Sequence, residues 1–147
     1  MGAKRLTCEL HPYGSLTELG FVVTLLFDGE SIWLSRHRER QTWETQGGHI
    51  EAGETVVQAA MRELYEESGA TDYLMRPLCH YAVTDDDRQT SSGAVFIADL
   101  RRRDSLPMSE IAEVRRFDAL PAPDSLTYPD ITPALYARAL EARRAGA

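Results

Sequence analysis

The sequence predicts one layered α/β domain spanning residues 1–147. Three observations carry that prediction. Short β-branched, apolar runs are separated by turn residues, a capped amphipathic helix sits near the middle, and a second helix closes the chain. A domain of this length buries roughly two thirds of its unfolded surface, enough for one core.

The elements follow in order. Gly20 to Phe27 (GFVVTLLF) reads as a strand, Asp28-Gly29 as a hairpin turn, and Ser31 to Ser35 as the returning strand. A basic stretch, Arg36 to Gln41, and Trp43 lead into a predicted loop from Gly47 to Glu54, whose three glycines permit close backbone approach. Thr55 opens a helix that runs to about Ser68, with Gly69 as its stop. Val57, Ala60, Met61 and Leu64, at i, i+3, i+4 and i+7, predict the stripe that faces the core. Tyr73 to Thr84 and Ser92 to Asp99 read as strands around a polar loop, and Val114 to Phe117 as a short strand. The proline-rich tract Leu120 to Pro129 is a loop. Thr132 and Pro133 have the N-cap and N1 residue types of a terminal helix reaching about Arg144.

Acidic residues outnumber basic ones, 23 to 16, giving a formal charge of −7. Such a chain is poorly suited to tracking a nucleic-acid polymer, where Lys and Arg must replace counterions. The expected partner is a small molecule. Cys8 and Cys79 form no close-spaced pair, which argues against a disulfide framework and a Cys-based zinc site. No run approaches the ~20 apolar residues of a membrane span, and none resembles a signal peptide, so the expected compartment is the cytoplasm.

The most informative stretch is Arg62-Glu63-Leu64-Tyr65-Glu66-Glu67-Ser68-Gly69. At ~100° per residue, with Glu63 at zero, Glu66 lies near −60° and Glu67 near +40°, while the expected apolar stripe centres near +110°. Three carboxylates thus share one arc beside the buried face. Like charges at these spacings repel, and near a helix C-terminus they oppose the dipole. Local rules broken together tend to mark functional sites. A divalent cation would relieve the repulsion, and all-oxygen ligands suit Mg²⁺, with Mn²⁺ as the alternative.

Read with what precedes it, the stretch resembles the signature of the Nudix family. Gly48, five residues, Glu54, seven residues, then Arg62-Glu63-Leu64-x-Glu66-Glu67-x-Gly69-Ala70 match that box over residues 48–70. Every polar and glycine position agrees. Ala70 is a small occupant of the last hydrophobic slot, and Gln46 stands where many members carry proline. The resemblance implies an α/β/α sandwich with a central mixed sheet and a loop-helix-loop catalytic motif. It also implies metal ligation by Glu66, Glu67 and a backbone carbonyl near Gly48. Glu63 would be a ligand or water-orienting base, and Arg62 would orient Glu63. Glu67 is the strongest candidate ligand. Glu54 is expected to brace the loop, and Glu113 and Glu110 are candidate distal bases or ligands.

Arg36, Arg38 and His49 are candidate substrate contacts, weighed against a solvated basic turn and an ordinary loop histidine. Trp43 is expected to pack behind the loop, and Asp85-Asp86-Asp87 to form a solvated tip. The implied reaction is metal-dependent hydrolysis of a diphosphate linkage in a nucleoside (deoxy)triphosphate or a related nucleoside diphosphate derivative. The alternatives are a pyrophosphatase for ADP-ribose, nucleotide sugars or dinucleoside polyphosphates, and a catalytically inactive nucleotide sensor. The isoprenoid isomerases among Nudix relatives place a cysteine where this chain reads Gln46-Gly47-Gly48-His49, so that activity is set aside. A homodimer is compatible with the resemblance.

Overall fold

Alternating burial along two central strands determines the architecture. The structure, a computed structural model, describes residues 5–146. Its strands are β1 (Thr7–His11), β2 (Phe21–Asp28), β3 (Ser31–His37), β4 (Gln46–His49), β5 (Ala70–Thr84), β6 (Thr90–Arg103) and β7 (Ile111–Phe117). The helices are α1 (Val56–Ser68) and α2 (Thr132–Ala145). A single sheet runs β1-β5-β6-β2-β3-β7, and β4 pairs with β2 off that path. The β2–β6 pair is parallel and the others are antiparallel, so the sheet is mixed.

Val22 and Leu26 of β2, with Ala94, Phe96 and Ala98 of β6, pack on the side of Ala59, Ala60 and Leu64 from α1. Leu25, Phe27, Val95 and Ile97 point the other way, against Leu135 and Ala139 of α2. Both faces are covered, which gives the expected α/β/α sandwich. The period-2 alternation of a strand is what sends successive residues to opposite layers.

The predicted hairpin is present, with Leu26 opposite Trp33 and Asp28 opposite Ser31. β5, β6 and β7 each run longer than expected. β1 was not expected at all; it pairs along Thr84 to His80 of β5. The first part of the predicted glycine loop is a strand. β4 pairs Gly47 with Val23 and Gly48 with Val22, while β3 takes the far half of the same edge of β2. The sequence gives little sign of this, because glycine is depleted in strands.

α1 begins on a capping box. The Thr55 side chain accepts from the Gln58 N–H, and the Gln58 side chain accepts from the Thr55 N–H. It ends at Gly69, whose φ of 78° is left-handed. α2 starts one residue earlier than predicted, with Ile131 in the N-cap position and Thr132 buried as the first helical residue. Thr132 therefore does not cap by its side chain.

The predicted core stripe of α1 is half wrong. Ala60 and Leu64 are buried, but Val57 and Met61 are exposed, and Ala59 and Ser68 take their places inside. On the angular scale used above the buried arc centres roughly at +65°, closer to the acids. The helix is rolled so that its carboxylates turn toward the sheet. No described helix is long and apolar enough to cross a membrane.

Candidate active site

Two glycines of β4 allow that roll. A Cβ on Gly47 would stand 2.3 Å from the Val22 carbonyl oxygen, and one on Gly48 would stand 2.6 Å from the carboxylate of Glu63. A side chain at 47 would collide with the β2 backbone, and one at 48 would displace the Glu63 carboxylate. With glycine, the Gly47 N–H donates to Glu67 Oε1 at 2.8 Å, and Glu63 lies directly over Gly48. The helix is thus pinned by its acidic side chains as well as by its apolar ones.

Arg62 is the hub of the loop-helix junction. Its Nε and one terminal nitrogen donate to both oxygens of Glu54, at 2.6 and 2.9 Å, a two-pronged clamp. The other terminal nitrogen donates to Glu63 at 2.7 Å and Glu66 at 3.1 Å, and a further bond reaches the His49 carbonyl. The Arg62 guanidinium holds Glu54 well below the usual carboxylate range, at about 2. Glu54 therefore ties the loop to the helix through Arg62.

Glu67 is the opposite case. Burial, offset by one backbone N–H and reinforced by the charges of Glu63, Glu44 and Glu66, pushes its carboxyl up to about 8. Burial also raises Glu63, against the pull of Arg62. Glu66 is the most exposed of the three. The helix end is supported from outside. Ser35 donates to the Glu67 carbonyl at 2.7 Å, and Arg103, stacked over Trp33, donates to the Ser68 carbonyl at 3.0 Å. Arg103 supplies, from β6, the cation that the last turn of α1 lacks.

Among the described residues no three His, Cys, Asp or Glu side chains converge tightly enough to cage an ion. The reason is visible: Arg62 holds Glu63 and Glu66. The donor set nevertheless fits a hard divalent cation. It consists of carboxylate and backbone oxygens, crowded beside glycines that leave the approach open, with one carboxylate buried against like charges.

The remaining predicted residues lie farther out in the contact network. Arg36 pairs with Glu113 at 3.4 Å and also donates to the Arg40 carbonyl. Arg38 donates to the Ser109 carbonyl, and Glu110 lies 3.2 Å from His37. Glu113 also meets Arg115. Trp43 is buried behind the site against Phe117, with Arg115 over its ring. Asp85 forms a loop turn, accepting from the backbone of Asp87 and Gln89.

Beside the glycine strand opens a cleft of about 280 Å³, lined by Phe21, Gly48, His49, Tyr81, Tyr128 and Glu44 among others. Sequence reasoning missed most of this lining. Phe21 and Tyr81 carry the pattern of strand residues, and Tyr128 sits in a proline-rich loop, so only the fold brings them together.

The sandwich and the glycine-helix geometry define a class, and the comparisons name it. The family model described as NUDIX domain matches residues 17–135, and the chain belongs to that family. Its members generally work with divalent metal ions. The chain is 37% identical over 60 residues to an RNA pyrophosphohydrolase of Baumannia cicadellinicola subsp. Homalodisca coagulata, covering 41% of this chain and 36% of the relative. It is 34% identical over 50 residues to a putative 8-oxo-dGTP diphosphatase of Bacillus subtilis, covering 34% of each. These matches span only about a third of the relatives' lengths. Among solved structures, the Bacillus subtilis pyrophosphohydrolase BsRppH superposes with a TM-score of 0.77 at 20% identity, over 94% of this chain and 90% of that one. A UDP-X diphosphatase gives 0.70 at 21% identity, over 92% and 68%. At such identities the likeness is one of fold.

Proposed function

We propose that the chain hydrolyses a diphosphate linkage in a nucleoside (deoxy)triphosphate or a related nucleoside diphosphate derivative, with Mg²⁺ or Mn²⁺. The observation that carries this reading is Glu67, a carboxyl buried among like charges beside an open glycine strand. A cation there would favour its ionised form and draw the anionic substrate to the same place.

Glu67 and Glu66 would hold the metal with a backbone carbonyl near Gly48, and Glu63 would either join them or serve as the base. When bound, the metal offsets phosphate charge and lowers the pKa of the attacking water. Glu63 is the base of choice among the chain's own groups. It is half-buried, raised in pKa, and hydrogen-bonded to Arg62. A base poised nearer neutrality accepts a proton more effectively. Arg62 positions Glu63 and, through Glu54, the loop beneath it. Arg36 and Arg38 would reach phosphate only by leaving their present partners, and His49 lines the cleft. Glu113 and Glu110 remain candidate distal groups.

The names of the relatives, an RNA pyrophosphohydrolase and a putative 8-oxo-dGTP diphosphatase, support a phosphorylated nucleoside as the substrate class. The test is a hydrolysis screen with Mg²⁺ across nucleoside triphosphates, ADP-ribose, nucleotide sugars, dinucleoside polyphosphates and 5′-triphosphate RNA. Wild type is compared with Glu67→Gln. Metal-dependent triphosphate turnover lost in the variant is expected. Turnover confined to sugar nucleotides or ADP-ribose would replace the substrate class. Tight nucleotide binding with no turnover would make the chain a sensor.

A further inference from the structure

The cleft beside the glycine strand holds one carboxylate that the proposed reaction does not use. Glu44 is only 8% exposed yet lines the cleft. Its backbone is fixed on both sides: the N–H donates to the Ser35 carbonyl and the carbonyl accepts from the Ser35 N–H. Neighbouring Trp43 is bonded in the same way to Ser125 and Thr127. The side chain is anchored too, because Arg40 donates to Oε2 at 3.2 Å. Oε1 has no hydrogen bond to the described residues.

A negative group in the cleft of an enzyme for polyphosphates is a constraint on orientation. An acceptor-only group does not bind phosphate oxygens without a cation between them, so where Glu44 meets the ligand directly it meets an N–H or O–H donor. The rest of that wall is apolar or aromatic: Phe21 packs edge-on to Tyr81 at 5.4 Å, and Val83, Ile131 and Leu135 complete it. Such walls suit a flat ring better than a hydroxyl-rich sugar. A carboxylate accepts only, with about four lone-pair sites, so the bond to Arg40 leaves capacity for a pair of donors.

We propose that Glu44 determines which nucleotide the chain takes, its carboxylate accepting the adjacent N–H donors of a guanine-type ring. Guanine presents N1–H and the 2-amino group side by side. Uracil and thymine present one N–H between two carbonyl oxygens, which a carboxylate repels. Adenine and cytosine place a ring acceptor next to their amino group. Hypoxanthine keeps N1–H and lacks the 2-amino group. Arg40 is then a positioning residue, holding the carboxylate in its orientation.

This inference rests on the nucleotide reading above, and the experiment separates the two. Dissociation constants of GMP, IMP and AMP, which carry no diphosphate linkage, are measured by calorimetry on wild type and Glu44→Gln. In parallel, kcat/KM is measured with Mg²⁺ for GTP, dGTP, ITP and ATP, on wild type and Glu44→Gln, with folding checked by circular dichroism. Guanine is expected to be preferred over hypoxanthine by about tenfold or more in both binding and kcat/KM. In Glu44→Gln that ratio should collapse to within about threefold. Hydrolysis with equal values for GTP and ITP overturns the inference. So does a loss in Glu44→Gln that falls on GTP and spares dGTP, which would assign Glu44 to the ribose 2′-hydroxyl. If no nucleotide is hydrolysed, the proposed reaction falls, and the GMP to IMP binding ratio, compared between wild type and Glu44→Gln, decides this inference alone. The same exchange of guanine for hypoxanthine at the 5′ end of a short triphosphate RNA shows whether free nucleotide or RNA supplies the head group.

Discussion

The two faces of the sheet are built to different rules. On the α2 side, Leu25, Phe27, Ile32, Leu34, Val95, Ile97 and Leu135 make one large apolar cluster. On the α1 side the helix contributes only Ala59, Ala60 and Leu64, set against Val22, Leu26, Ala94, Phe96 and Ala98 of the sheet in two smaller clusters. Glu63 and Glu67 lie on this face too, over the glycines of β4. One face supplies cohesion, while the other accepts electrostatic cost to hold acids near the backbone. The difference teaches that stability and activity should separate when each face is altered.

The largest effect is expected on the cohesive face. Phe27→Ala removes a fully buried ring stacked on Tyr136 and should cost about 3–5 kcal/mol of unfolding free energy by denaturant titration. The kcat of the folded fraction should stay unchanged. A matching loss of kcat would mean that the two faces are mechanically coupled.

Next comes the mirror change. Gly48→Ala places a methyl against the Glu63 carboxylate and should lower kcat about 10²-fold, roughly 2.7 kcal/mol of barrier. Its thermal midpoint should shift by only a few degrees. An unaltered kcat would remove Glu63 from the reaction.

A pH titration sharpens the comparison within the α1 face itself. With chelator present, folded Glu67 keeps its proton up to about pH 8, whereas the unfolded chain releases it near 4.5. The stabilisation that Glu67 provides is therefore complete below pH 4.5 and is lost as pH rises toward 8. Glu67→Gln should flatten this slope and stabilise the chelated protein at pH 8 by on the order of 2 kcal/mol. Glu54 works in the other direction. Its carboxyl is depressed to about 2 by Arg62, so its contribution is present above pH 4.5 and lost as pH falls toward 2. Urea midpoints measured from pH 2 to 9 on wild type, Glu67→Gln and Glu54→Gln would reveal both limbs; a wild-type curve level between pH 5 and 8 would refute the first.

The smallest effect tests the start of α1. Thr55→Ala removes one half of the capping box and should cost about 1 kcal/mol, read as a lower denaturation midpoint. A change much above that would show the cap also braces the loop.

Much of this was legible because local chemistry dictates it. The Asp28-Gly29 hairpin, the Thr55 cap and the Gly69 stop each follow from a residue type at a fixed offset. The spacing from Gly48 to Ala70 carries the family signature on its own. Two strands escaped notice. β1 is a short edge with alternating exposure, and β4 is Gln-Gly-Gly-His, a strand only because β2 offers it hydrogen bonds. Val57 and Met61 were assigned to the core by periodicity, which counts apolar residues and is blind to pinned acids.

By itself, then, the sequence determined the sandwich, the family and the carboxylate-bearing helix, since those depend on short-range spacing and on which residues water rejects. The tertiary structure alone decided how far α1 is rolled, which acid is buried and what lines the cleft. Those depend on contacts between residues such as Gly47 and Glu67, or Glu44 and Tyr81. Such residues lie far apart along the chain and meet only once the sheet has closed.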